Sequence, residues 1–327
     1  MLTSGVHSSH DRSTEDWAFE RRVMPHIDAV ANHLAKYNEI SNISIHDGSC
    51  SLGDVYRRHW RHNEALEWYR RALDGRERAL GVHHRSTLTT VHNLALVFNS
   101  QGQYDKALEL YERALAGQEK VLGVDDPDTL TTVHGIAAVF KRQGHFDKAL
   151  EWYGRALAGK ERALGVDHRH TLATVHSMAV VFKHQEQYGK ALKWYWRVLV
   201  GQEKALGVDH PSTLTTVHSM AVVFHSQGQY DKALEWYRRA LAGREETLGV
   251  DHPSTLDTVH SMAAVFQLQG QFDNALEFYE RVFAGQEKAL GVDHLLTQGT
   301  IRCLIDLHEA TGQTEQVHSL RTRLRVT

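Results

Sequence analysis

The chain has 327 residues, 42% of them apolar, with 37 Lys and Arg against 40 Asp and Glu. It is long enough for a sizeable core, and a net charge of -3 gives no bulk attraction to a phosphate backbone, so nucleic acid is not expected as a partner. Two cysteines, Cys50 and Cys303, exclude a disulfide framework and a CxxC metal or redox motif, and no apolar stretch of about 18 residues or secretory-type start occurs, so the expectation is a cytoplasmic protein with no membrane partner.

Residues 1–12 read as a flexible leader and 13–40 as a helical lead-in, with Trp17, Phe19, Val23, Ile27, Val30 and Leu34 forming an apolar stripe. Residues 41–327 form a repeat array. The segment A-L-(E/K)-(W/L/F)-Y recurs with its first residue at Ala65, Ala107, Ala149, Ala191, Ala233 and Ala275, a constant step of 42 residues, and Val317 falls at the next interval. A fixed period of this size means a solenoid, in which no single unit can bury its own apolar face.

Each period holds two helical patterns. Leu130, Val133, Ala137 and Phe140 mark one stripe, helix A; Gly144 allows a left-handed stop; Ala149, Leu150, Tyr153, Ala156 and Leu157 mark a second stripe, helix B, ending at Leu164-Gly165. The next helix A is announced by Asp or His, with Pro127, Pro211 and Pro253 at that entry. The first and last units are degenerate. Cys50, Leu52, Gly53, Val55 and Tyr56 stand at core and near-core positions of the first, with Trp60 in place of glycine, and the last has Arg302 for His and His308 for Phe.

Leu94, Ala95, Phe98, Ala107, Tyr111 and Ala114 give the repeat the spacing of the tetratricopeptide repeat, which it resembles. Its 42-residue period is similar to the kinesin light chain subclass, and phrases such as RALAGREETLGVDHPSTLDTVHSMAAVF, at 239–266, resemble the repeat arms of fungal NOD-like (STAND) receptors. Arg21 to Leu34 also looks like the segment that joins the nucleotide-binding core to the repeats there. The resemblance implies an all-α, right-handed superhelical solenoid of about six to seven helix pairs whose A helices line a concave groove. There is no GxxxxGK[ST] loop, so nucleotide binding is not carried over and no cofactor is expected. Few residues precede the repeats, too few for the long heptad coiled coil by which kinesin light chains join their motor, so motor attachment is not expected.

Mapped through that motif, outward groove positions include His92, His134, His176, His218 and His260, one per repeat, which accounts for part of the 24 histidines. Neutral His can donate and accept at once, as a peptide backbone requires. Protonation of several of them near about pH 6 would make them repel. Further along the A helices, Lys141, Arg142, Lys183, His184 and His225 make the middle repeats basic and suited to an acidic ligand. Zinc is not expected, because ladder members stand about 8–10 Å apart, a helix-packing distance. The glycines Gly75, Gly117, Gly159, Gly201, Gly243 and Gly285 imply close helix approach or a bend, and pairs such as Trp152-Tyr153 read as core packing rather than a stacking platform.

No Ser, His and Asp set converges in one place, so no enzyme is expected. The expected role is a non-enzymatic protein-interaction module that grips a peptide or protein partner in its groove, as the sensing arm of a STAND receptor would. A kinesin-light-chain-like cargo adaptor and a scaffold working through the convex B-helix face are the alternatives.

Overall fold

The computed structural model describes the backbone of residues 14–35 and 43–324 and the side chains of 23–33 and 46–324; the leader lies outside the described residues. Every regular element there is a helix. After α1 (Thr14–Ala35) come seven A/B pairs: α2 (Ile43–Arg58) and α3 (His62–Leu80), α4 (Arg85–Ser100) and α5 (Tyr104–Val121), α6 (Pro127–Arg142) and α7 (Phe146–Leu164), α8 (Arg169–His184) and α9 (Tyr188–Leu206), α10 (Pro211–Ser226) and α11 (Tyr230–Leu248), α12 (Pro253–Leu268) and α13 (Phe272–Leu290), and α14 (Leu295–Ala310) and α15 (Thr314–Arg323). They fall into two compact units, Phe19–Val198 and Leu199–Thr327, and within each the repeats stack as an all-α tetratricopeptide-type solenoid.

Local chemistry sets the helix ends. Gly102 (φ 74°) and Gly144 (φ 78°) turn the chain between A and B helices in the left-handed region that glycine enters without steric cost. Trp60 (φ 61°) and Glu186 (φ 59°) take the same conformation at the same place, where a side chain costs about 1–2 kcal/mol. At the entry to the A helices, Asp126 accepts from the Asp128 N–H at 2.8 Å, while His84, His210 and His252 use Nδ1 to accept from Ser86, Ser212 and Ser254 at 3.1–3.2 Å. Histidine therefore acts here as an N-cap, which explains a further share of the histidine excess. Pro127, Pro211 and Pro253 are each the first residue of their helix, where a missing N–H costs nothing.

The core is a line of small and aromatic residues. Ala107 and Tyr111, Ala149 and Tyr153, and Ala233 and Tyr237 are fully buried, so the tyrosine of each Trp-Tyr pair is a core residue. The B-helix glycines mark close approach: a Cβ on Gly243 would stand 2.6 Å from Leu214 Cδ2, and one on Gly285 would stand 2.8 Å from Leu256 Cδ1. Along the B helices one recurring arginine pairs with a glutamate one repeat back, Arg113 with Glu77, Arg155 with Glu119, Arg197 with Glu161 and Arg239 with Glu203.

α1 docks on the first repeat through Ala31, Met24 and Ile27, and Val30 is 54% exposed rather than part of the buried stripe. The cause is a polar latch. Asp28 accepts from Arg61 Nη1 at 2.7 and 2.8 Å and from the Tyr56 hydroxyl at 2.8 Å, and this fixes which side of α1 faces inward. The side chains of Trp17, Phe19 and Leu34 lie outside the described residues.

Candidate functional site

The A helices share one register, so the same repeat position recurs on α4, α6, α8, α10 and α12. Three of the ladder histidines, His92, His134 and His218, turn a ring nitrogen toward the following A helix. His92 Nδ1 lies 2.9 Å from Thr132 Oγ1, His134 Nδ1 3.2 Å from Thr174 Oγ1, and His218 Nδ1 3.4 Å from Thr258 Oγ1, each threonine being on the following A helix. On the other side each ring meets its repeat's buried tyrosine, with His92–Tyr111 centroids 5.3 Å apart and His134–Tyr153 centroids 4.9 Å apart. His176 and His260 meet Tyr195 and Tyr279 the same way, both at 5.1 Å. Burial pushes His92 and His176 down to about 4, helped by Arg57 and Lys141 respectively. His134 is lowered well below its ordinary value by burial and then by Lys160 and Lys141, and His260 is lowered by burial against the opposing charge of Asp257. The expected response near pH 6 is corrected for His92 and His176, which burial keeps neutral there, and the downward shifts of His134 and His260 run in the same direction.

Five threonines at this repeat position also meet a B-helix residue. Arg76 Nη1 donates to Thr90 Oγ1 at 2.6 Å, Lys160 Nζ to Thr174 Oγ1 at 2.9 Å, and Arg244 Nη1 to Thr258 Oγ1 at 2.6 Å, while Thr216 and Thr300 donate to Gln202 and Gln286 at 2.7 and 2.8 Å. Lys160 is the costly member. It is 4% exposed, pairs with no carboxylate among the described residues, and burial drives it down to about 8. Its folded value lies below the unfolded 10.5, so the unfolded chain binds more protons between pH 8 and 10.5 and wild-type stability climbs across that window. Lys160→Gln, which copies the neighbouring repeats, is expected to raise stability at pH 7 on the order of 3 kcal/mol. Urea denaturation at pH 7 and 10.5 checks this, the gain shrinking at the higher pH.

The C-terminal ends of α6 and α8 carry the second predicted set. Lys141 and Lys183 are half-buried and Arg142 and His184 exposed, all in the first compact unit. Burial lowers Lys141, Lys183 and His184, and Lys141 bears on His134, His176 and His184 together, so these groups share one electrostatic patch. His184 also stacks on Phe146 of the preceding repeat, with centroids 5.8 Å apart and planes 5° from parallel. His225 belongs to the other compact unit, where its ring meets Tyr230 edge-on at 6.1 Å. Among the described residues no carboxylate pairs with Lys141, Arg142 or Lys183, in contrast to the matched arginines of the B helices.

Arg57 on α2 belongs with this row, at the repeat position of Asn99, Lys141 and Lys183, and was not among the predicted site residues. The sequence signal is that this position reads Arg57, Asn99, Lys141, Lys183, His225, Gln267 and Glu309 through the units, while the residue before it is constant in the middle ones as Phe98, Phe140, Phe182, Phe224 and Phe266. Among the described residues no cluster of three or more His, Cys, Asp and Glu could hold a metal ion, and no helix is long and apolar enough to cross a membrane.

Comparison with known proteins bears on the fold. The "kinesin light chain nearly identical TPR-like repeats" of Podosopora anserina are 31% identical, with a TM-score of 0.54 over 63% of this chain and 98% of that one. BtubC (BKLC) from P. vanneervenii is 22% identical, with a TM-score of 0.57 over 71% and 90%, and the apo quorum sensor NprR from B. thuringiensis is 14% identical, with a TM-score of 0.66 over 93% and 84%. No curated protein sequence matches. The tetratricopeptide-repeat profile matches residues 47–120, 87–162, 170–246 and 218–288. These matches take in most of the stacked pairs, and the chain belongs to the tetratricopeptide-repeat family.

Proposed function

We propose that the chain is a non-enzymatic protein-interaction module that holds an acidic peptide, or an acidic segment of a partner protein, along its A-helix face. One observation supports this reading: Lys141, Arg142 and Lys183, at the ends of α6 and α8, pair with no carboxylate among the described residues, although Arg113, Arg155, Arg197 and Arg239 of the B helices each meet a glutamate one repeat back. Partly desolvating two ammonium groups is costly unless an opposite charge arrives, and a ligand carboxylate supplies it. The ladder histidines then act as struts that hold neighbouring A helices in register beneath the ligand, with His184 and His225 nearer the surface.

The finer reading is that of a sensing arm like those of fungal STAND receptors, supported by the wording of residues 239–266. A second reading, a cargo adaptor, is favoured by the likeness to the Podosopora anserina kinesin light chain repeats. Both use the same face. Selection from a random peptide library with the wild type beside Lys141→Glu/Lys183→Glu tests the shared claim. The wild type is expected to enrich Asp- and Glu-rich sequences and the folded variant to lose them; identical enrichment by both would overturn it and turn attention to the B-helix face.

A further inference from the structure

On the B helices the positions of Glu109, Glu112 and Ala116 recur as an exposed stripe, since residues spaced i, i+3 and i+7 share one helix face. The first position holds glutamate in five units, Glu67, Glu109, Glu151, Glu235 and Glu277, and Lys193 on α9. The second is charged as Arg70, Glu112, Arg238 and Glu280, but it is Gly154 on α7 and Trp196 on α9. The departures fall on adjacent repeats of one compact unit, and they are opposite in kind.

Trp196 is 47% exposed, so a large part of its indole meets water. One repeat back, a Cβ on Gly154 would meet nothing within 4 Å, which leaves a gap in the stripe of α7 between Glu151 and Ala158, one turn away on either side. The neighbouring arginines do not fill it: Arg197 pairs with Glu161, and Arg155 pairs with Glu119 while its guanidinium lies over Trp152. Lys193 and Glu151 are exposed and enter no ion pair among the described residues. Indole and gap, base and acid therefore stand on neighbouring helices at matching levels, both pairs 42 residues apart.

We propose that the outward stripes of α7 and α9 bind a second copy of the chain. A two-fold axis parallel to these helices and midway between them lays α9 of each copy along α7 of the other, in the same direction. That one operation seats Trp196 in the gap at Gly154 and brings Lys193 to Glu151 one turn earlier, and the symmetry makes each contact twice. Complementarity names the occupant, because the chain carries both halves of the surface, whereas an unrelated partner would call for only one. An indole set against backbone with no side chain between is the kind of anchor that dominates a small interface. Two helix stripes from each copy make a contact of the small, reversible class, and it uses B helices only.

Sedimentation velocity of the full chain from about 1 to about 300 µM tests this. The wild type is expected to pass reversibly from monomer to dimer and no further, because a two-fold contact closes on itself. Trp196→Arg and Gly154→Arg, which copy the residue at Arg238, are expected to weaken association at least about tenfold with helicity and melting temperature unchanged. Lys193→Glu and Glu151→Lys should each weaken it about fivefold by setting like charges together. The two combined reverse every pair across the axis and should restore association to within about twofold of wild type. A chain that stays monomeric over this range, assembly that grows past the dimer, a dimer unmoved by Trp196→Arg or Gly154→Arg, or a combined charge exchange that restores nothing would each overturn the proposal.

Discussion

Lowering the pH from 6.5 to 4 is expected to remove several kcal/mol of stability, with little change between pH 6.5 and 7.5. The source is the histidine ladder. His92 and His176 titrate near 4 in the folded protein because burial penalises the imidazolium, against 6.5 for an exposed ring, and His134 is lowered as well. As the pH falls below 6.5 the unfolded chain binds protons that the folded chain refuses. The stabilising contribution is therefore complete above 6.5 and is lost progressively down to about 4, at about 1.4 kcal/mol per pH unit for each histidine. The two that titrate near 4 together account for roughly 5 kcal/mol or more. Urea midpoints from pH 7.5 to 4 measure the slope. Replacing His92 and His176 with asparagine, which keeps a polar partner for the threonine side, should flatten it; an unchanged slope would remove the ladder as its cause.

The second large effect concerns the close approach of A and B helices. Leu214 is almost fully buried and its methyl groups lie where a Gly243 side chain would go. Leu214→Ala is expected to cost about 2–5 kcal/mol, the lost transfer energy plus the cavity left behind. Gly243→Ala gains about 1 kcal/mol of helix propensity, yet its methyl meets Leu214 Cδ2 at 2.6 Å, and overpacking of about 1–3 kcal/mol outweighs the gain. The two changes are in contact and should not add. The double variant is expected to be more stable than Leu214→Ala alone, because the new methyl takes up room that the leucine vacated. Chemical denaturation of the three variants decides it, and simple additivity would mean that the glycine is kept for another reason.

Much of the architecture could be read from the chain because its determinants are local and repeated. The 42-residue step, the glycine at 144, the prolines at 127, 211 and 253 and the buried tyrosines each speak through one or two neighbours. The histidine ladder was legible as a ladder but not in its direction. An A-helix position beside the outer stripe can face the surface or the next helix, and the choice for His92 is made by a hydroxyl 40 residues away on another repeat. Lys160 was invisible for a similar reason, its desolvation being set by stacking and not by its own helix. Arg57 hid in a degenerate first repeat, where the copying that reveals equivalent positions is weakest. The basic character of the positions at Lys141 and Lys183 is legible in the sequence, whereas their half-burial and their lack of pairing carboxylates among the described residues come only from the packed repeats.

The most direct measurement is the affinity of one library-selected acidic peptide for three forms of the full chain, by fluorescence anisotropy at fixed ionic strength. They are the wild type, Lys141→Glu/Lys183→Glu, and a B-helix charge swap, Arg155→Glu/Glu119→Arg, that keeps its ion pair. The account predicts a loss of about 100-fold for the first variant, the equivalent of roughly 2.7 kcal/mol, and a change of less than about threefold for the swap. A peptide that binds the A-face variant as tightly as wild type, or that is lost in the B-helix swap, would contradict it.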